Sequence, residues 1–249
     1  MQRNNVIILT HGWTGSSVFS ALFGRAGYWL GAETVQKNDY NTFENSALVD
    51  LNRRLIETLG NDLDHEHRFS DADVATIAER AKNVDLTPYR DFVAHCSSQG
   101  PWIWKDPRLT WTIRIWAQVL DMERTSFLIL TRDAQQAWIS ANMRRHVQSM
   151  KFTRDYKNGI TASNIRFLKD AGKPYLELSF EDLLLTPEPT LQRMNEFYGL
   201  ALTMDDLTTV CKEPLYRKSR GFKDLVLASL IYVKNYRERD GRGRRVAAG

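Results

Sequence analysis

Short apolar runs alternate along the chain with longer segments whose apolar residues recur at helical spacing. The runs at 5–10, 102–104 and 126–131 and the segment KPYLELSF predict strands, because β-branched and aromatic residues cluster in them. Helical spacing predicts helices in the segments that follow each run. Strands that alternate with helices predict an α/β fold in three layers, with a mostly parallel central sheet flanked by helices.

Local signals mark several helix ends. Ser70 precedes a segment with acidic residues in its first turn, and Thr87 precedes Pro88, a pairing typical of helix starts. Two further helices are expected to start near Leu109 and Ala134, soon after the strands at 102–104 and 126–131. Other segments with a helical pattern are 16–31, 44–61 and 186–200.

Length and composition predict one folded domain over residues 1–237 and a basic, disordered tail over 238–249. The net charge is only +4, and the basic excess lies mainly in 216–223 and near the end of the chain. This distribution favours an anionic small ligand, and the absence of a basic region with interleaved aromatics argues against nucleic acid. No apolar run approaches the ~18 residues of a membrane span, so a cytoplasmic protein is expected.

The segment VIILTHGWTGSS, residues 6–17, allows two interpretations. A strand that runs into His-Gly is typical of the oxyanion hole of an α/β serine hydrolase. That class also needs a G-x-S-x-G motif and a His that follows the nucleophile, and the chain lacks the motif. None of the five histidines lies in the last hundred residues, so the hydrolase remains a distant alternative. The histidines are His11, His65, His67, His95 and His146.

The second interpretation is an anion-binding loop between a strand and a helix. Gly12 and Gly15 allow a tight turn, and Thr14, Ser16 and Ser17 supply hydroxyl donors beside the backbone N–H groups of a helix start. Such a loop would hold one phosphate or sulfonate. It lacks the Lys and the length of a Walker loop, so metal-dependent polyphosphate chemistry is disfavoured. A plain Gly-Ser turn is the alternative.

A second strand–helix unit, LILTRDAQQAWIS, favours the anion site. Arg132 stands at the strand end, and Ser140 follows eight residues later, about two helical turns along. A guanidinium and a hydroxyl at this spacing can meet the same anion, and Arg is the residue suited to gripping phosphate in a fork.

Together these segments resemble the sulfotransferases that use 3′-phosphoadenosine 5′-phosphosulfate (PAPS). GWTGSS is similar to the bacterial H-R-S-G-T-S loop, and the Arg132–Ser140 spacing is similar to the family's 3′-phosphate site. Three further stretches, YNTFENSALVDLNRRLI, WIWKDPRLTW and YLELSFEDLLLTPEPTLQRMNEFYGL, resemble family segments in the same order. The resemblance covers residues 6 to about 200 and implies a P-loop-like fold of the sulfotransferase type.

The resemblance implies where the donor binds and that PAP is the product. The loop residues would wrap the 5′-phosphosulfate, and Arg132 and Ser140 would bind the 3′-phosphate. A late basic loop would add Arg217, Lys218 and Arg220. No metal is implied. The loop residues are Gly12, Trp13, Thr14, Gly15, Ser16 and Ser17.

The implied reaction is transfer of a sulfuryl group to a hydroxyl or amine of a small molecule or glycan. Glu44 is the first candidate for the general base, with His11 second, and Asp106 is expected to hold its own corner by pairing Arg108. The chain departs from the family at Trp13, where a Lys or Arg normally stabilises the leaving group.

Lys105, Arg108 or His11 could supply the missing cation. If none does, the protein is a catalytically impaired relative that binds PAP or PAPS. Trp13 could also stack on adenine or on an aromatic acceptor.

Overall fold

The computed structural model of the chain describes residues 3–37, 40–60, 68–211 and 220–242. The strands are β1 (Asn5–Leu9), β2 (Thr34–Gln36), β3 (Asn41–Asn45), β4 (Ile103–Lys105), β5 (Thr125–Thr131) and β6 (Tyr175–Ser179). The helices are α1 (Ser16–Arg25), α2 (Ser46–Gly60), α3 (Asp71–Arg80), α4 (Thr87–Ser98), α5 (Leu109–Trp116), α6 (Ala134–Met143), α7 (Met150–Asp170), α8 (Phe180–Leu185), α9 (Pro187–Tyr198), α10 (Met204–Val210) and α11 (Phe222–Lys234). Short 3-10 turns cover Ala81–Asn83, Met122–Arg124 and Tyr236–Gly241.

The central sheet has four strands in the order β4–β1–β5–β6, and all three pairings are parallel. Its two faces are covered by separate clusters of apolar side chains. Ile7 and Leu9 of β1 point into one cluster, and Val6 and Ile8 point into the other, as the alternation of a strand requires. The three-layer α/β prediction is therefore confirmed.

Most strand and helix predictions agree with the structure. Helices begin at Leu109 and Ala134 as expected, and the Ser70 side chain accepts a hydrogen bond from the Asp73 N–H at the start of α3. The strand expected at 102–104 is one residue later, at Ile103–Lys105.

The helix expected within 44–61 is shorter than the pattern predicts. It begins at Ser46, because residues 41–45 form β3 and pair antiparallel with β2. Neither strand of this hairpin was predicted, since both are short, polar and without strict alternation.

All four strands of the central sheet end at one edge. Beyond it lie the segment from Thr10 to Gly15 after β1, the Lys105 corner of β4, Arg132 after β5 and Phe180 after β6. Ligands of open α/β sheets bind outside the carboxyl ends of the strands. The carboxyl edge therefore gathers the segments that the sequence singled out.

The sequence pattern did not predict helix α11. The last described segment follows this helix. Residues 236–241 form a 3-10 turn, and the Asp240 carboxylate accepts a hydrogen bond from the Ser149 N–H at 2.9 Å. The domain boundary at 237 stays a prediction. No helix within the described ranges is long and apolar enough to cross a bilayer. Cys96 and Cys211 are both buried.

Candidate functional site at the carboxyl edge

The loop between β1 and α1 is tied to the neighbouring strand β5. The Thr10 hydroxyl donates to the Leu130 carbonyl at 2.8 Å, and the Thr14 hydroxyl lies 2.6 Å from the Thr10 hydroxyl. Both side chains are buried. The sequence suggested Thr14 as a ligand donor, but its hydroxyl is used to fix the loop on the sheet.

Two residues of this loop have a left-handed backbone, Trp13 at φ 71° and Gly15 at φ 74°. A Cβ atom on Gly15 would lie 2.5 Å from the Phe180 ring, so only glycine fits here without movement of α8. The close approach places the start of α1 directly against Phe180, the first residue of α8.

The start of α1 has no side-chain cap from any described residue. The first N–H groups of a helix have no intrahelical acceptor, and the helix dipole makes this end positive. The hydroxyls of Ser16 and Ser17, both partly exposed, lie in the same first turn. This combination is suited to binding an anion.

Arg132 and Ser140, eight residues apart in the sequence, lie close together in the structure. The Arg132 Nη1 atom donates to the Trp13 carbonyl at 2.9 Å and lies 3.5 Å from the Ser140 hydroxyl. Both side chains are buried, with Arg132 only 6% exposed. The guanidinium thus connects the end of β5, the β1–α1 loop and helix α6.

Glu181 of α8 also faces Arg132. The sequence motifs did not indicate this contact. The Glu181 Oε1 atom lies 3.7 Å from the Arg132 Nε atom, and Oε2 accepts a hydrogen bond from the Asp133 N–H at 2.9 Å. Burial lowers the pKa of Arg132, and the Glu181 charge opposes that shift. Glu181 thus supplies countercharge to the buried guanidinium.

Lys157 of α7 is a second charged residue that sequence reasoning missed, because it belongs to none of the motifs. Burial lowers its pKa, and the charges of Asp133 and Glu181 oppose the shift. Its own charge lowers the pKa of His11. The Lys157 ammonium is therefore a further positive charge that acts on His11 at the end of β1.

His11 lies at the end of β1 and is 4% exposed. Its Nδ1 atom lies 2.7 Å from the Gly12 carbonyl, which can only accept, so Nδ1 carries the proton. Burial lowers the pKa of His11 to about 4. The Nε2 atom is buried and has no hydrogen-bond partner among the described residues, which disfavours His11 as a base that meets an acceptor.

Lys105 and Glu44 form a buried ion pair with 2.7 Å between Nζ and Oε1. Lys105 ends β4 and is 2% exposed, and Glu44 comes from β3. Burial lowers the pKa of Lys105, and Glu44 opposes the shift. Because the two groups are in direct contact, the Glu44 carboxylate stabilises the charged form of Lys105. Two of the candidate catalytic residues are thus in contact.

Asp106 holds the corner after β4, as expected. Its carboxylate accepts hydrogen bonds from the Arg108 backbone N–H and side chain at 3.1 and 3.0 Å. Asn52 of α2 donates to the other oxygen at 2.9 Å. Arg108 is therefore engaged with Asp106, and the corner is braced against α2.

Trp13 is half-buried in a small cluster of aromatic and basic side chains. Its ring lies 5.8 Å from the His146 ring, and the Arg144 guanidinium lies 5.9 Å from its centre. Arg144 also lies 5.2 Å from the Tyr40 ring. The loop thus presents the Trp13 ring, with the Arg144 guanidinium beside it.

Arg220 is held against α6 by its backbone. Its N–H donates to the Gln136 side chain at 2.6 Å, and its carbonyl accepts from Gln136 at 3.1 Å. Its positive charge contributes to the lowered pKa of Arg132. Arg217 and Lys218, predicted for the same basic loop, lie outside the described residues.

Among the residues that the structure describes, no group of three or more His, Cys, Asp or Glu side chains could hold a metal ion. The site therefore consists of an open helix start, a buried guanidinium and a buried Lys–Glu pair, all beyond the carboxyl ends of the strands.

Comparison with known structures identifies the fold. The chain is similar to the sulfotransferase domain of the Synechococcus PCC 7002 olefin synthase, with a TM-score of 0.51, 14% identity and coverage of 94% of this chain and 96% of that one. Sulfotransferase STF9 from Mycobacterium avium matches with a TM-score of 0.49 and 12% identity over 96% of this chain and 77% of that one. No protein-family model and no curated protein matches the sequence.

The likeness to the olefin synthase domain covers nearly the whole of both chains. At 14% identity this likeness shows only the fold, a mostly parallel sheet flanked by helices as in that sulfotransferase domain. The reaction has to be argued from the residues of the site.

Proposed function

We propose that this protein is a PAPS-dependent sulfotransferase that acts in the cytoplasm and releases PAP. The observation that carries the proposal is the contact between the two predicted anion sites. Arg132 Nη1 lies 2.9 Å from the Trp13 carbonyl of the first site and 3.5 Å from the Ser140 hydroxyl of the second. A ligand with two separate anionic groups, such as a nucleotide with 5′- and 3′-phosphates, suits this arrangement.

The residues present fit such a nucleotide. The uncapped start of α1, with Gly12, Gly15, Ser16 and Ser17, would hold the 5′-phosphosulfate. Trp13, half-buried at the same loop, would contribute a ring face to the base or to the acceptor. Thr14 would act indirectly, by fixing the loop through Thr10.

The 3′-phosphate would be held by Arg132 and Ser140, with Arg220 beside them and Arg217 and Lys218 completing the basic loop. Charge-assisted hydrogen bonds from a buried guanidinium to phosphate are among the strongest that proteins form. A phosphate here would replace Glu181 as the main countercharge of Arg132, since Glu181 lies at the longer distance of 3.7 Å.

The bound donor would supply a sulfuryl group whose bond to the phosphate oxygen breaks as a bond to the acceptor oxygen or nitrogen forms. The bonding electrons leave with PAP, and the acceptor loses a proton. Glu44 would take that proton, and Lys105, 2.7 Å away, would hold the carboxylate and stabilise developing negative charge. His11 is the weaker candidate because its Nε2 atom is buried.

Lys105 and Lys157 are the two cations we assign to the role that a basic loop residue would otherwise fill. Lys105 is the last residue of β4, whose neighbour β1 leads into the loop, and Ile8 of β1 is in register with Lys105. Lys157 acts on the same strand end from α7 through its charge on His11. The acceptor is a hydroxyl or amine compound, a small molecule or a glycan.

Trp13 favours one second candidate, a relative that binds PAP or PAPS without turnover. Its neutral indole carries no positive charge that could stabilise a leaving phosphate. The two candidates share the nucleotide site and differ only in catalysis.

The experiment is to incubate the full chain with PAPS and a panel of phenols, alkyl alcohols, amines and sugars, and to measure PAP by chromatography. We expect acceptor-dependent PAP release, lowered about 10²-fold or more in Glu44→Gln. The matched control is Glu57→Gln, an exposed acid on α2, which should leave the rate unchanged. PAP binding without release under any acceptor would establish the second candidate, and neither binding nor release would overturn both.

A further inference from the structure

Helix α11 packs on the protein with one face only. Ala228 is fully buried, and Leu225 and Tyr232 pack beside it against Trp138 of α6 and Met143. These positions recur at spacings of three and four residues, so they define one side of the helix.

A different side of α11 is an exposed apolar stripe. Phe222 is 78% exposed, Leu230 62% and Val233 70%, and Val226 is also exposed. Residues at spacings of four, four and three lie on one face of a helix, so the four side chains form a continuous strip. Contiguous exposed apolar surface of this kind marks a binding site for a protein or a membrane.

Basic residues lie at both ends of this stripe. Lys223 and Lys234 lie within α11, Arg237 follows it, and all three are exposed. Residues 222–249, which exclude the basic residues assigned to the 3′-phosphate, contain seven Lys or Arg and three Asp or Glu, a net charge of +4. The whole chain carries +4, so the preceding 221 residues together are neutral. The net positive charge of the protein thus lies in this segment.

We propose that α11 binds the surface of an anionic lipid bilayer, lying in the plane of the interface with its apolar stripe in the acyl boundary. A helix with an apolar face and flanking Lys and Arg binds in this way, because apolar burial adds to attraction by anionic headgroups. A second copy on the same face would bring two sets of Lys223, Lys234 and Arg237 together, and this charge distribution disfavours that occupant.

The position of α11 connects this surface to the carboxyl edge of the sheet. Arg220, two residues before the helix, is bonded to Gln136 of α6, and the same helix carries Ser140. Binding of α11 to a membrane would therefore place the anion site close to the membrane surface. The inference uses only exposed apolar residues and charge, so it stands apart from the proposed reaction.

The test is co-sedimentation of the full chain with vesicles of phosphatidylcholine alone and of phosphatidylcholine with phosphatidylglycerol. We expect binding to the anionic vesicles only, weakened by added salt. Leu230→Gln with Val233→Gln should weaken binding at least about tenfold, because two apolar side chains are withdrawn from the acyl boundary. Lys223→Ala with Lys234→Ala should also weaken it about tenfold.

The matched control is Leu185→Gln, because Leu185 is an equally apolar, 80% exposed side chain that belongs to α8 and not to α11. It should bind vesicles like the wild type. Three outcomes would overturn the proposal: wild-type protein that stays in the supernatant, equal loss of binding in Leu185→Gln, or a wild-type dimer that Leu230→Gln with Val233→Gln converts to a monomer. Circular dichroism confirms that each variant is folded.

Discussion

At the scale of single residues, His11 gives the fold a pH dependence. Burial lowers its pKa from 6.5 to about 4, so the unfolded chain binds a proton at a higher pH than the folded protein does. The stabilisation from the neutral imidazole is complete above pH 6.5 and declines as the pH falls from 6.5 towards 4. A difference of this size corresponds to roughly 3 kcal/mol.

Denaturant unfolding between pH 7 and pH 4 measures this contribution. The wild type should lose about 3 kcal/mol more free energy of unfolding over this range than His11→Gln does. The control His95→Gln removes an exposed histidine and should keep the wild-type dependence. A His11→Gln protein with the full wild-type slope would contradict the assignment.

A comparison of Gly15 with Gly172 separates two costs of replacing a glycine, backbone strain and steric contact. Gly15 and Gly172 have similar left-handed backbones, at φ 74° and 63°. A methyl group added at Gly15 would meet the Phe180 ring, whereas one added at Gly172 would meet no described atom within 4 Å. Gly172→Ala should cost about 1 kcal/mol of stability from strain alone. Gly15→Ala should cost a further 1–3 kcal/mol or so from the forced contact.

Thermal unfolding of the two variants gives the comparison directly. Phe180→Leu combined with Gly15→Ala should recover part of the difference, since the smaller side chain leaves room for the methyl group. Equal losses in Gly15→Ala and Gly172→Ala would show that α8 does not press on the loop.

Single residues also show where sequence inference stops. The chemical types in the loop predicted a site for an anion, but spacing does not reveal that the Thr14 hydroxyl turns inward to Thr10. Glu181 lies 3.7 Å from Arg132 because α8 packs there, and the charge of Lys157 on α7 lowers the pKa of His11. The sequence pattern carries no signal for either interaction.

At the scale of elements, the ion pair Glu44–Lys105 joins strands β3 and β4, which belong to different sheets. Removal of one partner leaves a buried charge without its countercharge. Glu44→Gln or Lys105→Met alone should therefore lower the free energy of unfolding by about 3 kcal/mol, and the double variant should lose less than the sum of the two.

A double-mutant cycle by urea unfolding measures this coupling. The surface pair Asp50–Arg53 is the control, because both side chains are more than half exposed, and its coupling should stay below about 1 kcal/mol. Additive losses for Glu44 and Lys105 would mean that the two residues do not support each other.

Elements differ in how far the sequence predicts them. The strands β1 and β5 are apolar and β-branched, and the helices after them show clear starts, so each was found within a residue or two. The hairpin of β2 and β3 was missed because its polar residues form strands only through pairing with each other. Helix α11 was missed because its apolar residues lie on two sides, which blurs the helical period.

At the scale of the whole molecule, the parallel order β4–β1–β5–β6 explains why distant motifs form one site. Thr10, Lys105 and Arg132 are far apart in the sequence. Each lies at the carboxyl end of a strand, and these three strands (β1, β4 and β5) are neighbours in the sheet. The α/β pattern of the sequence implies this convergence, because parallel strands share a carboxyl edge. The closeness of that edge to α11 was beyond sequence reasoning, because the helix itself was not predicted.

The central claim is that Arg132, Ser140 and the β1–α1 loop bind a nucleotide with a 3′-phosphate. The most direct measurement is the thermal unfolding of the full chain with PAP, compared with AMP, which lacks that phosphate. PAP at a hundred times its dissociation constant should add about 2.7 kcal/mol of stability. For a domain of this size that is roughly 5–10 °C in Tm.

The shift should require the 3′-phosphate and should disappear in Arg132→Met, while Arg90→Met, which removes an exposed guanidinium from α4, should keep it. A wild type that responds equally to PAP and AMP, or an Arg132→Met protein that keeps the full PAP shift, would contradict the account.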